Sequence, residues 1–324
     1  MKRRAFIKLC TGSAVGAGIG FTRATHAQQT QVRRVGALIL GNADADAFRM
    51  ELREGLSNAG YVEGRNVLFD IRSAEGKVDM LPKLAAELVA AKVDVLIALY
   101  TPCVRAAQQA TRDIPIVAII ANPVETGFMA SLARPGGNIT GVSLMAAEAH
   151  GKCVEVFGEM LPSVRKVAAL GNASDPFMPL FLEKVHLAGK AAGIEILPVP
   201  VRGADEIDAA IATIRKNGAG ALIMQGSLPS RAVADVALKR RMPAGTFTRS
   251  FVEVGGLMSY GPNAARSFQR GVYFAIKILQ GSKPAELPAE QPTHFELIIN
   301  LKTAKALGVS VPASLLARAD DVIR

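Results

Sequence analysis

Short apolar runs alternate with longer segments of helical periodicity along most of the chain. The continuous apolar run at 35–40 is typical of a strand buried on both faces of a sheet. Phe48, Leu52 and Leu56 then recur with the spacing of one helix face, and Gly60 ends that helix as a C-terminal cap. Because this alternation continues, the pattern predicts a parallel sheet covered by helices on both faces.

The same pattern restarts in the second half of the chain. The segment VRRVGAL at 32–38 is similar to VRKVAAL at 164–170, and helices and strands follow each segment in the same order. The interval of about 130 residues is too long for a solenoid repeat. The sequence therefore predicts an α/β protein with two similar, doubly wound parallel-sheet lobes.

Two lobes of this kind offer one natural place for a ligand. In open parallel sheets, ligands bind beyond the carboxyl ends of the strands, where helix N-termini present unpaired N–H groups. Lobes that face each other by those ends would hold a solute from two sides, and closure about a hinge would exclude water.

The candidate ligand-binding residues are small or polar residues in loops that follow predicted strand ends. The same residue types also favour turns and helix caps, so the candidates gain weight as a set rather than singly. Arg249 and Tyr260 are weaker candidates, because their positions relative to the lobes are not fixed by the pattern. The set comprises Gly41, Asn42, Tyr100, Thr101, Asn122 and Ser143 in the first half, and Asn172, Ser174, Asp175, Gln225 and Ser227 in the second.

The charge distribution argues against a nucleic-acid partner. The formal net charge is +10, and Lys2, Arg3, Arg4, Lys8 and Arg23 contribute five of these charges, which leaves +5 for the rest. The rest of the chain has no basic run and no basic helix face. Nucleic-acid binding needs such a concentration of positive charge. Solubilising surface charge is sufficient to explain the remaining charge.

Catalytic and metal chemistry has little support in the sequence. The chain has four histidines and lacks the HExxH motif, the Gly-x-Ser-x-Gly motif and a phosphate loop. Cys103 and Cys153 are far apart with no CxxC spacing, and we expect two free, partly buried thiols. We therefore expect no enzymatic activity, no cofactor and no metal.

Residues 1–27 have the features of a signal peptide. A basic start precedes an apolar stretch at 12–21 and a small-x-small site, which predicts cleavage after Ala27 and export to the periplasm. The run RRAFIK at 3–8 resembles the twin-arginine export motif. The general secretory route is the alternative.

Several longer motifs carry a family resemblance. The motifs are GYVEGRN at 60–66, SLARPGGNITG at 131–141, GGLMSYG at 255–261 and FELIINLKTAKALG at 295–308. Together with essentially all of residues 32–324 they resemble the ABC-transporter substrate-binding proteins of the type I periplasmic binding fold, in the group with tryptophan- and phenylalanine-binding members. The resemblance implies a monomeric receptor that captures a small-molecule solute and delivers it to a membrane permease and its ATPase.

The resemblance also implies three crossings between the lobes. They are expected near 140–142, near 254–256, and across 284–292, where three prolines favour an extended linker. The implied division is lobe one at 32–140 plus 255–284, and lobe two at 141–254 plus 285–324.

One position departs from the family pattern and leaves the solute open. Similar proteins often have an acid where this chain has Asn122. A carboxylate there could pair with a ligand ammonium, whereas an amide offers only neutral hydrogen bonds. The expected solute is therefore amino-acid-like or another small polar or anionic molecule. Two alternatives to transport are a sensory module that acts on a partner and an exported hydrolase on the same fold.

Overall fold

The computed structural model describes residues 32–324, except for the side chains of residues 42–44. The predicted signal peptide at 1–27, its cleavage site after Ala27 and the side chain of Asn42 lie outside the described residues. The strands are β1 Arg33–Ile39, β2 Val67–Ser73, β3 Val95–Leu99, β4 Ile116–Ile120, β5 Ile139–Ser143, β6 Lys166–Asn172, β7 Glu195–Val201, β8 Ala221–Met224, β9 Ala244–Thr246, β10 Met258–Pro262, β11 Phe295–Asn300 and β12 Asp321–Ile323. The helices are α1 Asn42–Asn58, α2 Leu81–Ala90, α3 Thr101–Ala110, α4 Ala146–Met160, α5 Met178–Ala192, α6 Ile207–Lys216, α7 Ser230–Lys239, α8 Arg249–Glu253, α9 Ala264–Leu279, α10 Leu301–Leu307 and α11 Ala313–Arg318.

Within residues 32–324 the strands form two sheets. The first has the order β2-β1-β3-β4-β5 and is parallel throughout, and the second has the order β12-β11-β10-β9-β8-β6-β7. Strand–helix–strand crossovers produce this parallel pairing. The predicted α/β fold with two parallel sheets is confirmed. The sequence pattern did not predict that β11 runs antiparallel to its neighbour β10.

The first sheet is buried on both faces, and successive residues of a strand enter different cores. Val35 and Ile39 of β1 belong to the core that contains Phe48 of α1, whereas Leu38 belongs to the core that contains Leu88 of α2. This separation follows from the alternation of side chains along a strand. Helices α1 and α9 therefore cover one face, and α2 and α3 cover the other.

The second sheet has the same construction. Val167 of β6 shares a core with Phe157 of α4 and Phe181 of α5, while Leu170 packs in a separate core with Ile211 of α6. Helices α4 and α5 lie on one face, and α6 and α7 lie on the other. The carboxyl ends of the parallel strands in each sheet therefore lie at one edge, free of covering helices.

The described chain passes between the two sheets three times. It leaves the first sheet after Ser143, the second after Pro262 and the first again after Glu290, whose amide N–H donates to the carbonyl oxygen of Gly141 at 2.9 Å. The crossings predicted near 140–142 and near 254–256 lie a few residues before Ser143 and Pro262, respectively. β5 stays paired with β4, and β10 pairs with β9 and β11 in the second sheet. The division into two lobes stays a prediction.

Gly141 is required at the first of these crossings. Its φ of +139° is unfavourable for a side chain, and an added Cβ would lie 2.1 Å from the carbonyl oxygen of Ala118 on β4. Backbone atoms cannot give way as the end of a flexible side chain can. The close approach of β5 to β4 therefore depends on glycine at this position.

We predict that Gly141→Ala lowers the free energy of unfolding by about 3 kcal/mol, since it adds a backbone clash to an unfavourable φ. Gly193→Ala is the matched control, because Gly193 also has positive φ (+67°) but faces open space. The control should lose about 1 kcal/mol. Urea unfolding measures both values, and equal losses would contradict the role assigned to the β4–β5 contact.

Candidate ligand-binding cleft

The loops at the carboxyl ends of the two sheets share the walls of three neighbouring cavities. We call them the outer groove, the polar cavity and the apolar cavity. The outer groove, of about 320 Å³, is lined by Leu40, Gly41 and Tyr100 from the first sheet and by Gly226, Ser227 and Arg231 from the second. The polar cavity is lined by Tyr100, Thr101, Ala121, Leu144, Asp175, Phe177, Gln225, Gly226, Ser227 and Phe247, among others. The apolar cavity is lined by Leu99, Tyr100, Ile119, Leu144, Phe247, Thr248, Pro262, Ala264, Ser267 and Phe268.

Tyr100 lines all three cavities and lies at the end of β3. Its backbone has a φ of +69°, which is uncommon for a residue with a side chain. Such strain persists where the surrounding structure fixes it, and it concentrates at ligand sites. Thr101 follows as the first residue of α3 and is buried, so the N-terminus of α3 faces the polar cavity.

A buried carboxylate forms the opposite wall of the polar cavity. Asp175 accepts hydrogen bonds from the side-chain Nε2 of Gln225 at 2.7 Å and from the backbone N–H of Phe177 at 2.9 Å. Gln225 in turn accepts from the backbone N–H of Asn172 at 2.9 Å. Both ends of the Gln225 amide are therefore engaged, and Gln225 acts by holding Asp175 in place.

Burial raises the pKa of Asp175 to about 6, although the Ser227 hydroxyl, the Phe177 N–H and the Gln225 amide each lower it. The Ser227 hydroxyl is itself buried and lies beside the Asp175 carboxylate. Both residues line the polar cavity, so a group bound there would meet a carboxylate and a hydroxyl together.

Two of the predicted ligand-binding residues instead hold the first crossing. The Asn122 amide donates to Oε2 of Glu148 and accepts from the backbone N–H of Ala147, both at 3.0 Å. The Ser143 hydroxyl donates to the carbonyl oxygen of Ala121 at 3.1 Å. Neither residue lines the three cavities. Their side chains join the first sheet to the start of α4.

Asn172 and Ser174 lie beside the polar cavity without lining it. The Asn172 side chain accepts from the backbone N–H of Ser174 at 3.0 Å, which makes a local turn, and Ser174 is exposed. Arg249 pairs with Glu253 and Asp321, and Tyr260 stacks on Phe295. The predicted residues that the structure brings together in the cavities are Gly41, Tyr100, Thr101, Asp175, Gln225 and Ser227.

Phe247 and Thr248 line the cleft although the sequence pattern did not single them out. They follow β9, whose three residues are too short to give a clear apolar pattern. The Phe247 ring lies where a Cβ on Gly226 would be, at 2.2 Å, so Gly226 leaves room for it. The rule that predicted Tyr100 from the end of β3 would have found Phe247 if β9 had been recognised.

His150 lies behind the cleft in an apolar environment. Its ring centroid is 5.0 Å from that of Phe247 and 4.7 Å from that of Phe181. Its Nδ1 and Nε2 lie 2.5 and 3.1 Å from the carbonyl oxygens of Ala146 and Met224. A neutral imidazole can donate to only one of these two acceptors. Burial nevertheless lowers the pKa of His150 to about 4, which favours the neutral ring.

The comparisons with known proteins agree with this geometry. The family model described as ABC transporter substrate binding protein matches residues 36–323. The chain belongs to this family. The predicted resemblance is thereby confirmed, and so is the prediction that the protein is not an enzyme, because members of this substrate-binding family are not catalysts. Between residues 32 and 324, no helix has both the length and the apolar character needed to cross a membrane.

Individual relatives of this substrate-binding protein are similar over most of its length. The tyrosine-binding protein of Clostridioides difficile (strain R20291) is 26% identical over 264 residues, which cover 78% of this chain and 74% of the relative. A conserved domain protein of Vibrio cholerae has a TM-score of 0.83 and 26% identity, covering 90% of this chain and 100% of its own. An ABC domain from Streptococcus pneumoniae, solved in complex with L-Trp, has a TM-score of 0.80 and 25% identity, covering 90% and 99%.

The two buried titratable groups predict opposite pH effects on stability. The pKa of Asp175 is raised from 3.8 to about 6, so its folded form favours the proton and the stability it contributes is lost as pH rises from 4 to 6. The pKa of His150 is lowered from 6.5 to about 4, so the stability that it contributes is lost as pH falls from 6.5 to 4. Each effect amounts to roughly 3 kcal/mol, and in the native protein they oppose each other.

Single substitutions separate the two effects. On acidification from pH 6 to pH 4, Asp175→Asn should lose roughly 3 kcal/mol of unfolding free energy relative to the native protein. On acidification from pH 6.5 to pH 4, His150→Gln should gain a similar amount relative to the native protein. Urea unfolding at a series of pH values measures both differences. Differences that do not change with pH would contradict the burial assigned to these two groups.

Proposed function

We propose that this protein is the receptor of an ABC importer that captures an amino acid with a largely apolar side chain. The observation that carries the proposal is the pairing of unlike groups across the cleft. A buried carboxylate, Asp175, lies on one wall of the polar cavity, and the N-terminus of α3 lies on the other with Thr101. An amino acid carries the complementary pair, an ammonium and a carboxylate.

The ammonium group would bind Asp175 and the Ser227 hydroxyl. An opposite charge close to a carboxylate favours its ionised form, which offsets the effect of burial on the pKa of Asp175. Burial otherwise holds that pKa near 6. The bound solute would therefore lower the pKa of Asp175, and Gln225 would keep the carboxylate oriented throughout.

The carboxylate of the solute would bind the start of α3. The first N–H groups of a helix have no acceptor within it, and the partial positive charge at that end attracts anions. In α3 the N–H of Thr101 is such a group, whereas Pro102 has no N–H to offer. The hydroxyl of Thr101, buried beside the same cavity, supplies a further donor. In this proposal the acid that pairs with the ammonium is Asp175 on the second sheet, so no acid is needed at the position of Asn122.

The apolar cavity, which encloses about 30 Å³, would widen to receive the side chain of the solute. It adjoins the polar cavity through Tyr100, Leu144 and Phe247, which line both. Relatives with this fold support the assignment, since one is named as a tyrosine-binding protein and another was solved with L-Trp. Two phenylalanines, Phe247 and Phe268, lie on its wall together with Tyr100.

Closure about the three crossings would complete the site. Neither sheet alone supplies both polar walls, so binding requires the two to approach and would exclude water from the solute. The hydrogen bonds of Asn122 and Ser143 attach the first sheet to the start of α4, next to the first crossing. The bending would then fall on the short segments between the sheets.

The same proposal includes the cellular setting. The predicted signal peptide, with its twin-arginine-like motif and cleavage after Ala27, would deliver the protein to the periplasm. There it would act as a monomer and present the loaded cleft to a membrane permease with its ATPase. Family membership supports a role with an ABC transporter.

Thermal denaturation in the presence of each of the twenty amino acids tests this proposal. At about 100 times Kd, the cognate amino acid should add about 2.7 kcal/mol of stability and raise Tm by about 4 °C. Asp175→Asn should abolish the shift, since it removes the charge that pairs with the ammonium. Ser174→Ala is the control and should keep the shift, because Ser174 is exposed beside the site. The absence of a shift with all twenty would refute the proposal.

A further inference from the structure

The apolar cavity contains one polar group whose purpose the fold does not explain. Its walls are largely hydrocarbon, from Leu99, Ile119, Leu144, Pro262, Phe247 and Phe268. Of the two hydroxyl groups of Ser and Thr on this wall, that of Ser267 donates to the carbonyl oxygen of Asn263 at 3.0 Å and is engaged. The other belongs to Thr248.

The Thr248 hydroxyl is buried and has no hydrogen-bond partner among the described residues. Thr248 immediately precedes α8, yet its side chain does not accept from the first turn of that helix as a capping threonine would. A buried hydroxyl without a partner is destabilising unless another molecule completes it. Capping therefore does not account for the hydroxyl at this position.

The backbone on both sides of Thr248 is held in place. A Cβ on Gly261 would lie 1.9 Å from the carbonyl oxygen of Phe247, so the chain at 247 packs directly on β10. On the other side, Arg249 is anchored by its ion pairs with Glu253 and Asp321. Thr248 is thus presented to the cavity by a fixed segment, which is what a specificity-determining residue needs.

We propose that Thr248 determines specificity by hydrogen bonding to a hydroxyl group on the otherwise apolar side chain of the solute. The inference rests on the proposed function and narrows it to amino acids whose side chain carries one hydroxyl. A site built to hydrogen-bond such a group discriminates strongly against the analogue that lacks it, because the protein group is then left unpaired. An apolar wall alone would discriminate weakly.

Two pairs of amino acids test this directly: tyrosine and phenylalanine, which differ by one hydroxyl, and threonine and valine, in which a methyl group replaces the hydroxyl. Calorimetric titration of the full chain should give at least tenfold tighter binding of the hydroxyl member, in whichever pair fits the cavity. Thr248→Val keeps the shape of the side chain and removes the hydroxyl. It should weaken binding of the hydroxyl member at least tenfold and leave its partner within threefold of the native value.

Ser267→Ala is the matched control, because it removes the engaged hydroxyl on the same wall. This variant should leave the ratio of the affinities for the two members of the pair unchanged. Thr248→Val should also keep or raise Tm without solute, which excludes unfolding as the cause of weaker binding. Equal affinities within the pair that binds would overturn this inference and leave the proposed function standing. If neither these four nor any other amino acid binds, both are overturned.

Discussion

The burial of the Asp175 carboxylate is the physical constraint on which the proposed binding cleft depends. Gln225 and the Phe177 N–H hold the carboxylate rigidly, yet burial still raises its pKa to about 6. Burial disfavours the charge in that position, and a cation beside it would offset this cost, which is why we propose a cationic group as its partner. The N-terminus of α3 favours a negative group on the facing wall, so in our proposal the two walls together would bind a zwitterion.

The topology of the fold places the Asp175 carboxylate and the N-terminus of α3 on facing walls of the cleft. Parallel strands bring their carboxyl ends to one edge of each sheet, and the crossings turn the two edges toward one another. Gly141 permits the close strand contact at the first crossing, and Asn122 and Ser143 tie that crossing to α4. A hinge needs such fixed attachment points, because movement must be confined to the segments between the sheets.

The sequence predicted those residues of the candidate cleft whose positions the topology determines. Tyr100, Thr101 and Asp175 follow strand ends, and parallel strand ends must meet at an edge. It could not show that Asn122 is satisfied by Glu148 and α4, because those contacts join residues far apart in the chain. The three residues of β9 carry too little pattern to reveal a strand, so its loop was missed. The antiparallel direction of β11 likewise depends on where α9 packs, which periodicity does not encode.

Hydrogen exchange with and without a bound amino acid tests most directly whether both sheets hold one solute. The account predicts that saturating solute slows exchange of the backbone amides of residues 101, 103 and 104 on the first sheet and of residues 226–228 on the second, at the same solute concentration. Slower exchange on one side alone, or on neither side despite measurable binding, would contradict a site shared between the two sheets.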